Sequence, residues 1–359
     1  MQPAASPIQS ATSGAGQSAP GGQRERFAAD ELAIVLSHYN LGVIESIAEF
    51  NRGSRRAPKL LITSESGRYL LKRRARGKDD LNKVRLTHAL QRYLAAQQFP
   101  LPRLIGTAFD DDSMVVWRSG VYELFEYING QPYPHSLEAT YEAGRVLALY
   151  HELLTEFRLD PPSSMGSYHN QGMVDQGLAA IPSSVPPEEG LDSLLQALGE
   201  TFHCAAEKVE ALGFSQWPKQ YVHGDWHPGN MLFRDNRVVA VIDYDSARQL
   251  QRITDVANGS LQFSIIGGDQ DPSQWPDHVD ESRLKRFIRG YDGVSILSRA
   301  EIQALPWLMA EALIAEAVLP IAITGSFGRI GGTGFLRMVQ RKTQWITRSA
   351  DALISLVGG

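Results

Sequence analysis

Cysteine occurs once in 359 residues, at Cys204. A single thiol excludes an intrachain disulfide and any metal site built from cysteines. A large excess of charge of one sign is also lacking: 40 acidic residues against 35 basic ones leave a net charge of −5. No large basic block is present, so a nucleic-acid surface is not indicated; the short RERF and KRRARGK runs read as solvated strand ends. No apolar run is long enough to span a bilayer, and the N-terminus lacks the basic and apolar regions of a secretion signal. The expected setting is therefore the cytoplasm, without a membrane partner. Several chemical signatures are missing too. There is no Walker-A lysine motif, no G-x-S-x-G elbow and no internal repeat. HELLT at 151–155 approaches the zinc-protease H-E-x-x-H, but Thr155 stands at the second histidine position.

What is present is ordinary globular composition, 43% apolar and 21% charged, on a chain long enough for two domains. Residues 1–26 are rich in Ala, Ser, Gly, Gln and Pro, cannot bury enough apolar surface to offset their ordering entropy, and are expected to be a disordered tail. A short helix is expected over 30–40, then strands broken by turns at Asn51-Gly53-Ser54 and Ser66-Gly67. Residues 78–99 predict a helix with Asp79 and Asp80 at its start. MVVW and VYELFEYI predict paired strands, after which NGQPYP ends the sheet pattern. The expected division is a β-rich part with a hinge over 27–130 and a mainly helical part over 131–359. The helical part carries helices at 136–157 and 191–212, a long loop over 160–190, and further helices ending with one from Phe335 to Leu356.

The stretch YVHGDWHPGNMLFRDNRVVAVIDYD (221–245) organises the rest. Its two apolar runs, MLF and VVAVI, are separated by the turn residues RDNR and predict a hairpin. Such a hairpin gathers Asp225, Asn230 and Asp243 at one end. Carboxylates and an amide oxygen, with room for phosphate oxygens, form the donor set that magnesium prefers.

His223-Gly-Asp225 followed by Asn230 matches the H-x-D-x-x-x-x-N loop of kinases, and Asp243 falls where the metal aspartate of D-F-G stands. The wording HGDWHPGN and IDYD resembles the superfamily of aminoglycoside phosphotransferases, choline kinases and type II homoserine kinases. That resemblance implies an α+β, bilobal protein-kinase-like fold: a small antiparallel β-rich lobe with one helix, and a larger helical lobe. It implies transfer of the γ-phosphate of ATP, with Mg2+, to a hydroxyl of a small molecule such as an amino alcohol, sugar or aminoglycoside. Asp225 would accept the proton of the attacking hydroxyl, Asn230 and Asp243 would hold magnesium, and His223 and Asp255 would support the loop. Ser54 and the turn around it would cover the phosphates, and the backbone of Glu126 and Ile128 would meet the adenine edge. Lys72, chosen over Arg73 and Arg74 because it shares a strand face with Leu70, would reach the phosphates as a point charge.

One departure stands out. The 78–99 helix contains no glutamate to pair with that lysine. His88 is the nearest substitute, and an interior histidine with no such role is the alternative. This gap and the single glycine of the phosphate turn motivate a second reading, a nucleotide-binding protein without kinase activity. A Ser/Thr protein kinase is disfavoured because no A-P-E follows Asp243. The acceptor is not legible: Glu311 and Glu316 suit a cation, and Arg329 in the Gly-rich 325–335 loop suits a carboxylate.

Overall fold

Alternation in KLLITS places every second residue of β2 (Lys59–Ser64) inside, as a strand with one covered face requires. The computed structural model describes residues 25–51, 53–159, 167, 169, 172–268 and 271–358. The expected tail, apart from its last two residues, lies outside the described residues. The chain divides into two units.

The first unit takes residues 25–131 together with 239–245. Here α1 (Ala29–Ser37) precedes β1 (Ile44–Glu49), β2 and β3 (Gly67–Arg73); α2 (Leu81–Ala96) follows, then β4 (Val115–Trp117) and β5 (Gly120–Glu126). The strands form one antiparallel sheet in the order β1-β2-β3-β5-β4. Val35 and Tyr39 pack with Leu60, Ile62, Leu71 and Leu124 into its core. Glu31 ties α1 to the sheet by accepting from Tyr122 (2.8 Å) and Arg73 (2.7 Å). The Asp80 carboxylate caps α2 by accepting the Lys83 N–H at 2.9 Å. The 239–245 segment joins this unit where Val241 N–H donates to the Pro100 carbonyl at 2.9 Å.

The second unit, residues 132–238 and 246–358, is mainly helical. Its helices are α3 (Leu137–Leu153), α4 (Gly172–Ala180), α5 (Leu191–Glu210), α6 (Ile253–Ser264), α7 (Glu281–Asp292), α8 (Arg299–Thr324), α9 (Gly332–Arg348) and α10 (Ala350–Gly358). Short strand pairs join β6 (Lys219–Val222) with β9 (Arg248–Gln251) and β10 (Ser326–Phe327) with β11 (Ile330–Gly331). The fold is α+β, with a five-stranded antiparallel sheet and a largely helical remainder.

Three expectations are corrected. The 160–190 stretch is not one loop: α4 occupies its middle because Val174, Leu178 and Ile181 recur at helical spacing and are buried. The last helix is not continuous, since Ser349 caps α9 and a separate α10 follows. Finally, α8 is 26 residues long with an apolar window of mean hydropathy 1.7, long and apolar enough to cross a membrane by length and composition. It contains Glu301, Glu311 and Glu316, and 61% of that window is buried inside the protein, against α4, α5, α6 and α9.

His169 fastens its stretch of chain to the helices. Its Nδ1 lies 2.8 Å from Glu311 on α8 and its Nε2 lies 2.9 Å from Glu210, which also accepts from Ser215. Burial lowers the histidine pKa, but the two carboxylates outweigh it and the net shift is upward. A raised folded-state pKa means stability fully present below the unfolded value of about 6.5 and lost as pH rises through the folded value. His169→Gln is expected to melt several degrees below the parent at pH 6, with the gap closing by pH 8.5, in paired thermal melts. An equal gap at both pH values would show that the ion pairs contribute nothing.

Candidate active site

In the helical unit, β6 delivers the chain into the loop 223–230, and the loop is shaped by backbone demands. Gly224 has φ +75°, and a Cβ there would lie 2.4 Å from the Ser246 carbonyl, so only glycine fits. Asp255, near the start of α6, accepts the N–H groups of His223 (2.6 Å) and Gly224 (2.8 Å). Burial raises its pKa, but His151, His223 and these N–H groups outweigh that and hold it low. His151 in turn lies 3.4 Å from Asp255 and 2.8 Å from the Tyr291 hydroxyl. The His223 ring is fully enclosed, edge-on to Tyr150 and Trp226. Asp255→Asn keeps one acceptor oxygen and loses the charge and the second N–H bond, so about 2 kcal/mol of stability should go with it. Denaturant unfolding measures this; no loss would mean the loop holds its shape without the clamp.

The clamp leaves Asp225 at the surface of the loop, its side chain 32% exposed. Asn230 donates through Nδ2 to the Asp225 carboxylate at 2.9 Å and to its carbonyl at 3.0 Å. The Asn230 amide oxygen is thus turned away and accepts no hydrogen bond among the described residues. His227, a residue the sequence reading passed over, meets the same Asp225 oxygen, Oδ2. Its Nδ1 accepts the Gly229 N–H at 3.0 Å, which puts the proton on Nε2, 3.5 Å from the Asp225 carboxylate. Burial pushes the Asp225 pKa up, but His227, His223 and Asn230 outweigh it and bring it down to about 2. The side chain is a carboxylate at neutral pH. The second histidine of HGDWHPGN, four residues after the first, was the available signal.

Beyond the loop, β7 (Met231–Arg234) and β8 (Arg237–Val241) form the expected hairpin. Asp235 and Asn236 have φ +49° and +61°, the pair of positive values that a two-residue I′ turn requires. The chain passes from one unit to the other within β8.

In the sheet unit, Lys72 on β3 stands directly opposite Glu123 on β5, with Nζ 3.5 Å from Oε2. Glu123 is 1% exposed and its Oε1 takes two more partners at 2.7 Å, Arg74 and His88. Burial alone would raise its pKa; Lys72, His88 and Arg74 hold it well below the usual carboxylate range. Arg74 also pairs with Asp245 and donates to the Lys78 carbonyl at 2.7 Å. Burial lowers the Lys72 pKa, yet Glu123, Asp245 and Asp243 leave it net raised, so the ammonium stays charged. His88 meets Ser113 at 2.8 Å through its other nitrogen and reaches Glu123 rather than Lys72. The acid that α2 lacks is therefore supplied by a neighbouring strand. Asp243 is exposed, has φ +66°, and makes no hydrogen bond among the described residues. Ser54 lies in the β1–β2 turn, where its hydroxyl accepts the Arg56 N–H at 3.2 Å. Glu126 donates its own N–H to the Arg103 carbonyl at 2.9 Å, which leaves its carbonyl as the group able to serve a base edge.

No group of three His, Cys, Asp or Glu among the described residues is spaced to hold a metal. Asn230 in the helical unit and Asp243 in the sheet unit each present an open oxygen of the kind a hard cation accepts; magnesium usually completes its shell with phosphate oxygens and water.

The model of the phosphotransferase enzyme family matches residues 46–303, well over half of the chain. A homoserine kinase of Granulibacter bethesdensis is 24% identical over 292 residues, 80% of this chain and 84% of that one. The serine/threonine protein kinase RdoA of Salmonella typhimurium is 22% identical over 65% of either chain. Among solved structures, an amicoumacin kinase in complex with AMP-PNP, Ca2+ and its antibiotic superposes with a TM-score of 0.65. It is 12% identical and covers 88% of this chain and 94% of its own, a likeness of protein-kinase-like fold. With its ionised loop aspartate, its buried lysine–glutamate pair and this match, the chain belongs to the phosphotransferase enzyme family, enzymes that move a phosphoryl group to a hydroxyl acceptor.

Proposed function

We propose that the protein is an ATP- and magnesium-dependent kinase of a small-molecule hydroxyl, working in the cytoplasm and independent of nucleic acid. The observation that carries the reading is Asp225: ionised, partly open, and held through one oxygen, Oδ2, by Asn230 and His227. A carboxylate fixed in that way orients an alcohol by accepting its hydrogen bond and takes the proton as the oxygen attacks phosphorus. Asn230 and Asp243 would hold magnesium, which when bound neutralises phosphate charge. Lys72 would add a point charge on the phosphates, and its ion pair with Glu123 keeps it charged and directed. The Ser54 turn would close over the phosphates with backbone N–H groups, and the Glu126 carbonyl with the Ile128 N–H would read the adenine edge. His223 and Asp255 keep the loop in shape, and His88 braces Glu123. Because Glu123 supplies the acid that α2 lacks, that departure lends no support to an inactive nucleotide-binding protein.

A coupled ADP-release screen across amino alcohols, sugars and aminoglycosides, with ATP and a magnesium titration, tests the proposal. Turnover that requires both an acceptor and magnesium is expected. ADP release that is indifferent to every acceptor, or absent throughout, would overturn it.

A further inference from the structure

Along α7, Ser282, Lys285, Arg286 and Arg289 fall at the i, i+3, i+4 and i+7 spacing that puts side chains on one stripe. The stripe forms one wall of a hollow of about 660 Å³, and Leu137 and Tyr141 of α3 form the other. No acid among the described residues lines it. The two walls keep a fixed spacing because α3 and α7 touch backbone to backbone. A Cβ on Gly144 would lie 2.0 Å from the Phe287 carbonyl oxygen, and one on Gly290 would lie 1.9 Å from that of Tyr141. Contact that close leaves no room for the helices to drift, so the hollow is formed before any ligand arrives.

Three like charges within two helical turns repel one another. Arg289 has a structural reason to be there, since a cation in the last turn complements the helix dipole. Lys285 and Arg286 do not. Both are in mid-helix, exposed, and form no ion pair among the described residues. Glu281, one turn before Lys285, does not pair with it. The other acids of the region, Glu138, Glu142 and Asp235, line an adjoining hollow of about 430 Å³. Of these, Glu142 is already taken by Arg145 at 2.8 Å and Arg237 at 3.2 Å. On a chain whose net charge is −5, the hollow is a local excess of positive charge that an anion seated between the helices would relieve.

The donors name the class of anion. An ammonium offers three N–H groups, and each guanidinium offers a planar fork that matches two oxygens of a phosphate. Several cations together favour a multiply charged anion over a single carboxylate. The volume is that of a small-molecule site. Leu137, 36% exposed, and Tyr141 add an apolar patch for an organic body. We propose that the hollow between α3 and α7 binds a small polyphosphate or phosphate ester, with its phosphate oxygens on Lys285, Arg286 and Arg289. It shares no lining residue with the loop 223–230 or with Lys72, so the proposal stands apart from the kinase reading.

The probe is inorganic tripolyphosphate, titrated into the full-length protein by calorimetry with EDTA present so that no metal masks its charge. Binding to the parent is expected. The double variant Lys285→Glu/Arg286→Glu should weaken it by about tenfold or more, since two charge-assisted contacts become repulsive. Both side chains are exposed, so its thermal midpoint should stay within a few degrees of the parent's. Should the midpoint fall further, Lys285→Ala/Arg286→Ala removes the charges without adding acids and should show a loss of the same sign. Lys285→Arg/Arg286→Lys keeps both charges and should hold the affinity within about threefold. No binding to the parent, or binding indifferent to charge reversal, would overturn the site. Binding lost in Lys72→Met but kept in the double variant would assign the probe to the nucleotide site and overturn it too. Two further titrants check the class. Citrate bound as tightly as tripolyphosphate would reduce the hollow to a patch of charge without phosphate preference, and hexaglutamate bound more tightly would give it to an acidic protein segment; either result would overturn the proposal.

Discussion

Asp225→Asn is expected to lower kcat by about a thousandfold or more while the fold survives. Positioned proton acceptance contributes roughly 10²–10⁴ to rate, and orientation of the nucleophile adds to it. Asparagine keeps the size of the side chain and its contact with Asn230, but its amide takes no proton at neutral pH. The His227 N–H, aimed at the carboxylate from 3.5 Å, would still have an oxygen to meet. Thermal melts should therefore move by no more than a few degrees, and the KM for ATP should hold, because Lys72 belongs to the other unit. Steady-state kinetics on the best acceptor from the ADP screen decide the matter. Turnover within tenfold of the parent would remove Asp225 from the mechanism.

Glu123→Gln should be the most damaging single change in the sheet unit. The carboxylate is buried and meets Lys72, Arg74 and His88 at once. Its replacement leaves Arg74 with Asp245 as its one acidic partner and strips Lys72 of the charge directly across the strand pair. Breaking a buried ion pair from one side costs about 3–5 kcal/mol, since the stranded charge stays desolvated. Denaturant unfolding should show a loss of that order, and the KM for ATP should rise at least tenfold as Lys72 loses its anchor. An unchanged midpoint with unchanged KM would mean that Asp245 alone suffices to hold both cations.

Local features were legible in the chain. The hairpin at 231–241 follows from two apolar runs around Asp235 and Asn236, residues that tolerate positive φ. The start of α2 follows from the Asp80 cap, and the Asp225–Asn230 contact from their five-residue spacing within a tight loop. What was hidden depends on partners distant in sequence. Glu123 sits in the apolar run VYELFE, and its opposition to Lys72 is set by strand register across 51 residues of chain. Nothing local marks that register, so the missing acid was sought on the helix. His227 went unremarked because a histidine beside an aspartate signals nothing until the Gly229 N–H fixes its tautomer. The α4 helix was obscured by the prolines on either side, which outweighed a brief helical period.

The left-handed backbone at Asp243 limits how its chemistry can be dissected. Asparagine and aspartate adopt that conformation readily, whereas other L-residues with a Cβ incur about 1–2 kcal/mol of strain. An alanine scan would therefore confound a conformational penalty with the loss of a ligand oxygen. Asp243→Asn separates the two, and glycine at the same place, unstrained but stripped of its oxygens, supplies the matching control.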